Sequence, residues 1–180
     1  MALQTAIQPW SGYAVRHIPD VPGLQADIYD FRFCGRSHEN RWNIAGEPTL
    51  YLARDKNVAL AEYARHFRVD RTPGLAAQTH QRNVYRFQVE LNFTLDLCRP
   101  DVWTELFLTD APGCFTDKSV ARAVAQFIRN TTPVQAMFVP SMAFLDDLTQ
   151  WCLALFLEKL PSDPYAFLPA VTEDGSFRVS

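Results

Sequence analysis

The chain has 180 residues, of which 48% are apolar, 13% aromatic and 21% charged. This length and this apolar content suit one domain with a real core and exclude a disordered chain. The net charge of −3 lacks the basic footprint of a protein that binds nucleic acid directly. We therefore expect a single domain over residues 1–180 and no direct nucleic-acid partner.

The sequence also argues against a membrane or secreted protein. Uncharged apolar runs such as residues 151–157 are far shorter than the roughly 20 residues that span a bilayer. The first residues, Met1 to Gln4, have neither the basic nor the apolar region of a secretory signal. The four cysteines have neither disulfide-dense nor zinc-ribbon spacing. We expect a cytoplasmic protein with reduced thiols and no membrane partner.

In the first half of the chain, the pattern predicts three strands and one helix. Residues 13–18 and 49–53 are short strands, and residues 84–95 alternate apolar and polar side chains like a long, half-buried strand. Asp55 is suited to cap a helix over residues 56–67, because its carboxylate can accept hydrogen bonds from the first free backbone amides.

In the second half, proline in the first turn predicts a helix over residues 100–108. A second helix follows, capped by Thr116 or Asp117, with an apolar stripe of Val120, Val124, Phe127 and Ile128. Residues 136–139 and 151–157 are apolar runs of strand length, and residues 176–179 form a candidate edge strand. Because strands and helices do not alternate regularly, we predict an α+β fold with helices packed on a mostly antiparallel sheet.

The helix predicted over residues 56–67 carries a glutamate, Glu62. A core-facing stripe centred on Leu60 places Glu62 nearly opposite, so periodicity alone favours a solvated side chain that faces away from the core. Glu62 and His66 stand four residues apart, as two metal ligands on one helix face do, but no third ligand accompanies them. We therefore expect no metal site.

The residues that precede this helix and those of its first half form a more specific pattern. Residues 41–53 read Arg-Trp-Asn-Ile-Ala-Gly-Glu-Pro-Thr-Leu-Tyr-Leu-Ala, and residues 58–62 read Val-Ala-Leu-Ala-Glu. The order and spacing resemble the RES domain, whose members share an Arg-Trp-Asn, a Gly-x-Pro turn, a Leu-Tyr-Leu-Ala strand and a helix with a glutamate. Arg16 and Ser141 resemble the early arginine and the serine of that family. The resemblance spans about residues 10–160, with its tight block at 41–62.

Two segments depart from the family pattern. Residues 32–40 lack the Gly-Gly pair that commonly precedes Arg-Trp-Asn, so the ligand loop is expected to differ in shape. The tail over residues 163–179 extends beyond the tight block and receives no functional role.

The resemblance implies an ADP-ribosyltransferase-like fold that binds NAD and breaks its nicotinamide–ribose bond. NAD is then the substrate, and no bound cofactor is implied. Known members are toxins that deplete NAD by hydrolysis or phosphorolysis, commonly beside a helix-turn-helix antitoxin, and some transfer ADP-ribose to a protein. The implied partners are NAD and such an antitoxin, and the oligomeric state, a homo-oligomer included, stays open.

The resemblance also implies roles for five residues. Nicotinamide leaves NAD as a neutral ring, so catalysis must stabilise an oxocarbenium-like ribose rather than protonate the leaving group. Glu62 is expected to orient the ribose and oppose its charge, and Arg16 and Arg41 to hold phosphate. Tyr51 is expected to contact the nicotinamide-ribose end, and Ser141 to offer a small donor and acceptor. The expected catalytic set is Glu62, Arg41 and Tyr51, and the expected NAD-binding set is Arg16, Arg41, Tyr51 and Ser141.

Taken singly, each residue has a structural alternative. Trp42 can belong to the core, with Asn43 fixing the turn, and Tyr51 can be a structural strand residue. Arg16 can pair with a surface carboxylate, and Ser141 can cap the segment that follows it.

Three functions therefore remain open. The first is an NAD glycohydrolase or phosphorylase that acts as a toxin, and the second is a protein ADP-ribosyltransferase. The third is a non-catalytic domain that binds a nucleotide or a protein. Water and phosphate acceptors leave no motif, so the sequence does not decide the acceptor.

Overall fold

A six-stranded sheet organises the chain, of which the computed structural model describes residues 2–20, 27–66 and 81–178. The strands are β1 (Gln8–Pro19), β2 (Thr49–Ala53), β3 (Arg82–Asp96), β4 (Ala136–Pro140), β5 (Trp151–Phe156) and β6 (Ala170–Phe177). The helices are α1 (Ala2–Thr5), α2 (Lys56–Arg65), α3 (Pro100–Glu105) and α4 (Lys118–Thr131), and short 3-10 turns lie at Gly113–Thr116, Leu157–Lys159 and Pro164–Ala166. This mixture confirms the predicted α+β class.

The strand order is β1-β2-β5-β4-β3-β6, and β1 also pairs with β3. Only β3 and β4 run parallel; the other pairs in the described chain are antiparallel, which confirms the prediction. β1 pairs with β3 from Gln8 opposite Thr94 to Pro19 opposite Arg82. Because β1 contacts both β2 and β3, the order closes on itself, and β4 and β6 share the other edge of β3.

β5 lies at the centre of the core and is buried on both faces. Leu153 and Leu155 pack with Leu50 and Leu52 of β2 on one face, whereas Ala154 and Phe156 pack in a second cluster on the α4 side. A strand that is covered on both faces needs apolar residues at every position. This explains why the segment is a continuous apolar run without alternation.

The buried stripe of α4 differs from the prediction. Asp117 caps the helix by accepting from the Ser119 amide at 2.7 Å, as one of the two predicted alternatives states. Phe127, however, is 51% exposed, and the buried residues of the helix are Ala121, Ala125, Ile128 and Arg129. Small alanine side chains let the helix approach the sheet closely, so the largest apolar side chain of the helix is left outside the contact.

Several boundaries also differ. β1 begins at Gln8, five residues before the predicted start, and α3 ends at Glu105 instead of Leu108. The edge strand on β3 is Ala170–Phe177, longer and earlier than the predicted 176–179. Phe67 and Val179 lie outside the described residues. No helix within the described ranges is long and apolar enough to cross a membrane.

Candidate functional site

Helix α2 places Glu62 on the side of the helix that packs against the rest of the chain. The Asp55 carboxylate accepts from the amides of Asn57 at 2.9 Å and Val58 at 3.0 Å and so starts the helix. The buried residues of α2 are Val58, Ala59 and Tyr63, and Leu60 is only partly buried. At 100° per residue, the direction of Glu62 falls between those of Val58 and Ala59.

The prediction that Glu62 faces away from the core is therefore wrong. The prediction centred the buried face of the helix on its largest aliphatic residue, Leu60. The helix instead packs through Val58, Ala59 and Tyr63. Glu62 is half-buried on the packed side, where donors from another part of the chain satisfy it. A carboxylate on a buried face is tolerated only with such partners.

Two hydrogen bonds fix the Glu62 carboxylate, and both end on Oε1. The Ser141 hydroxyl donates to Oε1 at 2.5 Å, and the Ala143 amide donates to it at 2.9 Å. Ser141 follows β4 and is fully buried, so its hydroxyl contacts Glu62 from the protein interior. Among the described residues, Oε2 receives no hydrogen bond.

Two adjoining pockets meet at Glu62. The first, here the Arg41 pocket, has a volume of about 300 Å³, and its walls include Arg41, Trp42 and Tyr63. The second, here the Arg16 pocket, has a volume of about 320 Å³ and is lined in part by Arg16 and Phe33. The residues common to both are His17, Asn40, Tyr51, Glu62 and Cys152. Volumes of this size are typical of small-molecule sites.

Tyr51 forms part of the wall between the pockets. Its hydroxyl donates to Asn43 Oδ1 at 2.8 Å and accepts from the Trp42 amide at 3.1 Å. Burial raises the pKa of Tyr51 above its usual value, against the opposing effect of the Trp42 amide. The phenol therefore stays protonated and engaged within the protein, and its ring is what it offers to a ligand.

Trp42 and Asn43 have the structural roles that the sequence left open. Trp42 is a core residue whose ring lies 4.9 Å from that of Phe115, although it also lines the Arg41 pocket. Asn43 is fully buried and donates to the carbonyls of Gly35 at 2.8 Å and Ile44 at 2.6 Å. Together with Tyr51 they hold the turn that presents Arg41.

Arg41 is buried against the segment that precedes the N-terminus of α4. Its Nη1 donates to the carbonyls of Phe115 at 2.8 Å and Thr116 at 2.7 Å. Arg122 of α4 secures the same segment through the Asn40 carbonyl, to which its Nε donates at 3.0 Å. These contacts fix the backbone that carries Asn40 and Arg41 against the helix.

Arg16 lies in the other pocket, held by the loop that follows β1. Its Nη1 donates to the Ile28 carbonyl at 2.9 Å, Nη2 contacts Cys34 Sγ at 3.7 Å, and the guanidinium lies 5.2 Å from the centre of the Phe31 ring. The structure thus assigns the two predicted phosphate-binding arginines to different pockets, with Glu62 and Tyr51 between them.

Sequence reasoning missed three residues that line both pockets: His17, Asn40 and Cys152. His17 and Asn40 each adjoin a motif arginine in the chain, which is a usable signal, whereas Cys152 sits in an apolar run with no signal at all. Burial raises the pKa of the Cys152 thiol, and the nearby Glu62 charge adds to this effect. Across residues 2–20, 27–66 and 81–178, no group of three or more His, Cys, Asp or Glu side chains could hold a metal ion.

The chain matches a protein-family model and is similar in fold to solved structures. The family model described as the RES domain matches residues 15–179. Seven chains of solved structures match, and one belongs to the crystal structure of the M. tuberculosis MbcT–MbcA toxin–antitoxin complex. That likeness has a TM-score of 0.63 and 16% sequence identity, and it covers 97% of this chain and 87% of the other. A search of the curated proteins found no match.

Proposed function

Because the chain belongs to the RES domain family, we propose that it is an enzyme that consumes NAD by cleaving the bond between nicotinamide and ribose. The proposal includes an ADP-ribosyltransferase-like fold formed by one domain over residues 1–180. NAD serves as the substrate, with no bound cofactor.

One observation carries this proposal: Glu62 presents Oε2 at the junction of two pockets while Oε1 is held from behind. A fixed negative charge there suits a ribose that becomes positively charged in the transition state. The pockets on either side can take the two halves of a dinucleotide, and the walls of each include one of the two motif arginines, Arg41 or Arg16.

The reaction needs little from the protein besides this electrostatic support. The C1′–N bond breaks, its electron pair leaves with the nicotinamide, and the ring becomes neutral without being protonated. Water or phosphate then forms the new C1′–O bond, and attack by water releases its proton to solvent. Glu62 opposes the charge on the sugar, the ring of Tyr51 bounds the reacting end, and Arg16 and Arg41 bind phosphate oxygens.

Product analysis tests the proposal directly. Purified protein is incubated with NAD, with and without inorganic phosphate, and the products are identified. ADP-ribose indicates hydrolysis, ADP-ribose phosphate indicates phosphorolysis, and labelled protein indicates transfer to a side chain. Unchanged NAD under all conditions would contradict the proposal and favour a non-catalytic binding domain.

Glu62→Gln is the matched control for this assay. Glutamine can place its carbonyl oxygen at Oε1, where it still accepts from Ser141 and Ala143, and its uncharged amide at Oε2. We expect a folded protein whose turnover falls by at least about 100-fold, the scale of one lost electrostatic contact in a transition state. Wild-type turnover in this variant would remove Glu62 from the mechanism.

We further propose that the enzyme acts in the cytoplasm as the toxin of a toxin–antitoxin pair. Support comes from the fold likeness to a chain of the MbcT–MbcA complex. The partner is a helix-turn-helix antitoxin that keeps NAD from the pockets and supplies DNA recognition, for which a chain of charge −3 is poorly suited.

Expression in a host that lacks the gene of the proposed antitoxin tests this role. The wild-type chain is expected to deplete cellular NAD and arrest growth, and Glu62→Gln to do neither. Toxicity that persists in Glu62→Gln, or wild-type expression without effect on growth or NAD, would contradict the toxin role.

A further inference from the structure

His17, like Glu62, lines both pockets, although the proposed reaction does not use it. It lies in β1, immediately after Arg16, and is half-buried. Its ring is enclosed by aromatic neighbours, with the Tyr63 ring centre at 5.0 Å and the Phe177 ring centre at 5.2 Å. The imidazole therefore has a fixed position from which it reaches both pockets.

A single hydrogen bond determines the protonation of this ring. The Nε of Arg82 in β3 donates to Nδ1 of His17 at 3.0 Å. A guanidinium has no acceptor atom, so Nδ1 must offer a lone pair, and the neutral ring then has its proton on Nε2. Arg82 is itself held over the Tyr63 ring, with its guanidinium carbon 4.8 Å from the ring centre.

The surroundings favour the same neutral form. Burial lowers the pKa of His17 to about 3, and the positive charges of Arg82, Arg16 and His66 act in the same direction. These groups belong to β1, β3 and α2, and β6 contributes only the apolar Phe177 ring.

The second ring nitrogen is left for a ligand. Within the described part of the chain, no hydrogen bond uses Nε2 of His17, whereas its side chain lines both pockets together with Glu62. Among the described residues, the unpaired Nε2 is not one of the buried polar atoms that lack a partner, so it stays accessible to a ligand. His17 can thus offer a donor, Nε2–H, and Glu62 an acceptor, Oε2, to the space that both residues line. A hydroxyl group matches this pair, because its oxygen can accept one hydrogen bond while its proton donates another.

Building on the proposed function, we propose that His17 binds the substrate by donating Nε2–H to a hydroxyl of the nicotinamide ribose, and that this hydroxyl in turn donates a hydrogen bond to Glu62 Oε2. Arg82 is a positioning residue that fixes the tautomer. His17 acts as a permanent neutral donor here and transfers no proton in the reaction.

Nitrogen NMR of the histidine rings tests the tautomer and the ligand together. The protein is labelled with ¹⁵N, and the His17 signals are assigned by their absence in His17→Gln. We expect the Nε2–H tautomer throughout pH 5.5–8. ADP-ribose should shift the Nε2 resonance, whereas ADP, which lacks the terminal ribose, should not. The Nδ1–H tautomer, a titration near pH 6.5, no response to ADP-ribose or an equal response to ADP would each overturn the proposal.

Two variants measure the strength of the contact. His17→Phe keeps a ring but loses both nitrogens, while His17→Gln keeps an N–H donor near the place of Nε2. We expect ADP-ribose to bind about five- to tenfold more weakly to His17→Phe, the scale of one neutral hydrogen bond, with ADP binding unchanged and partial rescue in His17→Gln. Calorimetry measures the affinity of the wild-type protein and of both variants for ADP-ribose. Equal affinity of the three would overturn the proposal.

These measurements are independent of turnover. If NAD stays intact while ADP-ribose still shifts Nε2, the proposed enzymatic function fails and the ribose contact stands. If NAD is cleaved while Nε2 does not respond, the function stands and the role of His17 fails.

Discussion

Ser141 is the residue whose role the structure changes most. The resemblance implies a contact with NAD, yet the side chain is fully buried and its hydroxyl donates to Glu62 at 2.5 Å. In the proposed mechanism, Ser141 holds Oε1 and leaves Oε2 to the ligand. Ser141 is therefore a positioning residue.

Ser141→Ala is expected to lower kcat by about tenfold or more, the scale of a lost hydrogen bond to a charged group, and to leave KM for NAD nearly unchanged. The Ala143 amide still holds Oε1, so the fold should persist. Ser119→Ala is the matched control, because the Ser119 hydroxyl also donates to a carboxylate, that of Asp117, on the exposed surface. A raised KM with unchanged kcat would show instead that Ser141 contacts the substrate.

The two arginines allow a test of how NAD spans the pockets. We expect Arg16→Ala and Arg41→Ala each to weaken NAD binding by about 10- to 100-fold, because each removes a charge-assisted contact to phosphate. Arg86→Ala is the control, since Arg86 is an exposed arginine paired with Asp174 outside both pockets. Calorimetry is done in the Glu62→Gln background to prevent turnover. Equal affinity in all three variants would exclude both arginines from the binding site.

At the scale of elements, the loop over residues 32–40 is joined to the turn before β2 through Gly35. The Gly35 carbonyl accepts from Asn43 Nδ2 at 2.8 Å and from the Gly46 amide at 3.1 Å. Gly35 has a φ of +81°, and a Cβ built on it would lie 1.8 Å from the Glu47 carbonyl oxygen. Gly35 thus lets the loop over residues 32–40 approach the turn before β2, although the loop lacks the Gly-Gly pair of the family.

Gly35→Ala is expected to lower the free energy of unfolding by about 3 kcal/mol, because both the left-handed backbone and the contact with Glu47 oppose a side chain. Gly113→Ala is the control, since a Cβ there meets nothing within 4 Å. Chemical denaturation of both variants measures the difference. Equal stability of the two variants would contradict the close approach of the loop.

At the scale of the whole molecule, His17 makes stability depend on pH. Its pKa is lowered to about 3 in the folded protein, so below its ordinary value of 6.5 the unfolded chain binds the proton that the folded chain excludes. Stability is therefore full above pH 6.5 and falls as the pH drops from 6.5 towards 3. The slope approaches about 1.4 kcal/mol per pH unit.

Between pH 7.5 and pH 5, the wild-type protein is thus expected to lose about 2 kcal/mol more stability than His17→Gln, which has no ring to protonate. His38→Gln is the control, because His38 is exposed. Denaturant titrations at several pH values measure the three curves. A wild-type curve parallel to that of His17→Gln would contradict the lowered pKa of His17.

The elements that could be predicted from the sequence are those set by neighbouring residues in the chain. Period-two alternation, apolar runs and capping residues identified β2 to its last residue and the N-cap of α2, because these signals depend on neighbours in the chain. The block over residues 41–62 identified the family from the order of its residues. The extent of the domain and the roles of the five site residues stay predictions.

The contacts between distant residues could not be predicted from the sequence. The buried face of α2, and with it the orientation of Glu62, depends on Ser141 and Ala143, about eighty residues further along the chain. The same holds for His17, whose tautomer is fixed by Arg82 on another strand. Periodicity records how apolar each position is, but the burial of a polar side chain depends on whether distant segments bring it a donor. For Glu62, folding supplies these donors, because it brings the segment after β4 against α2.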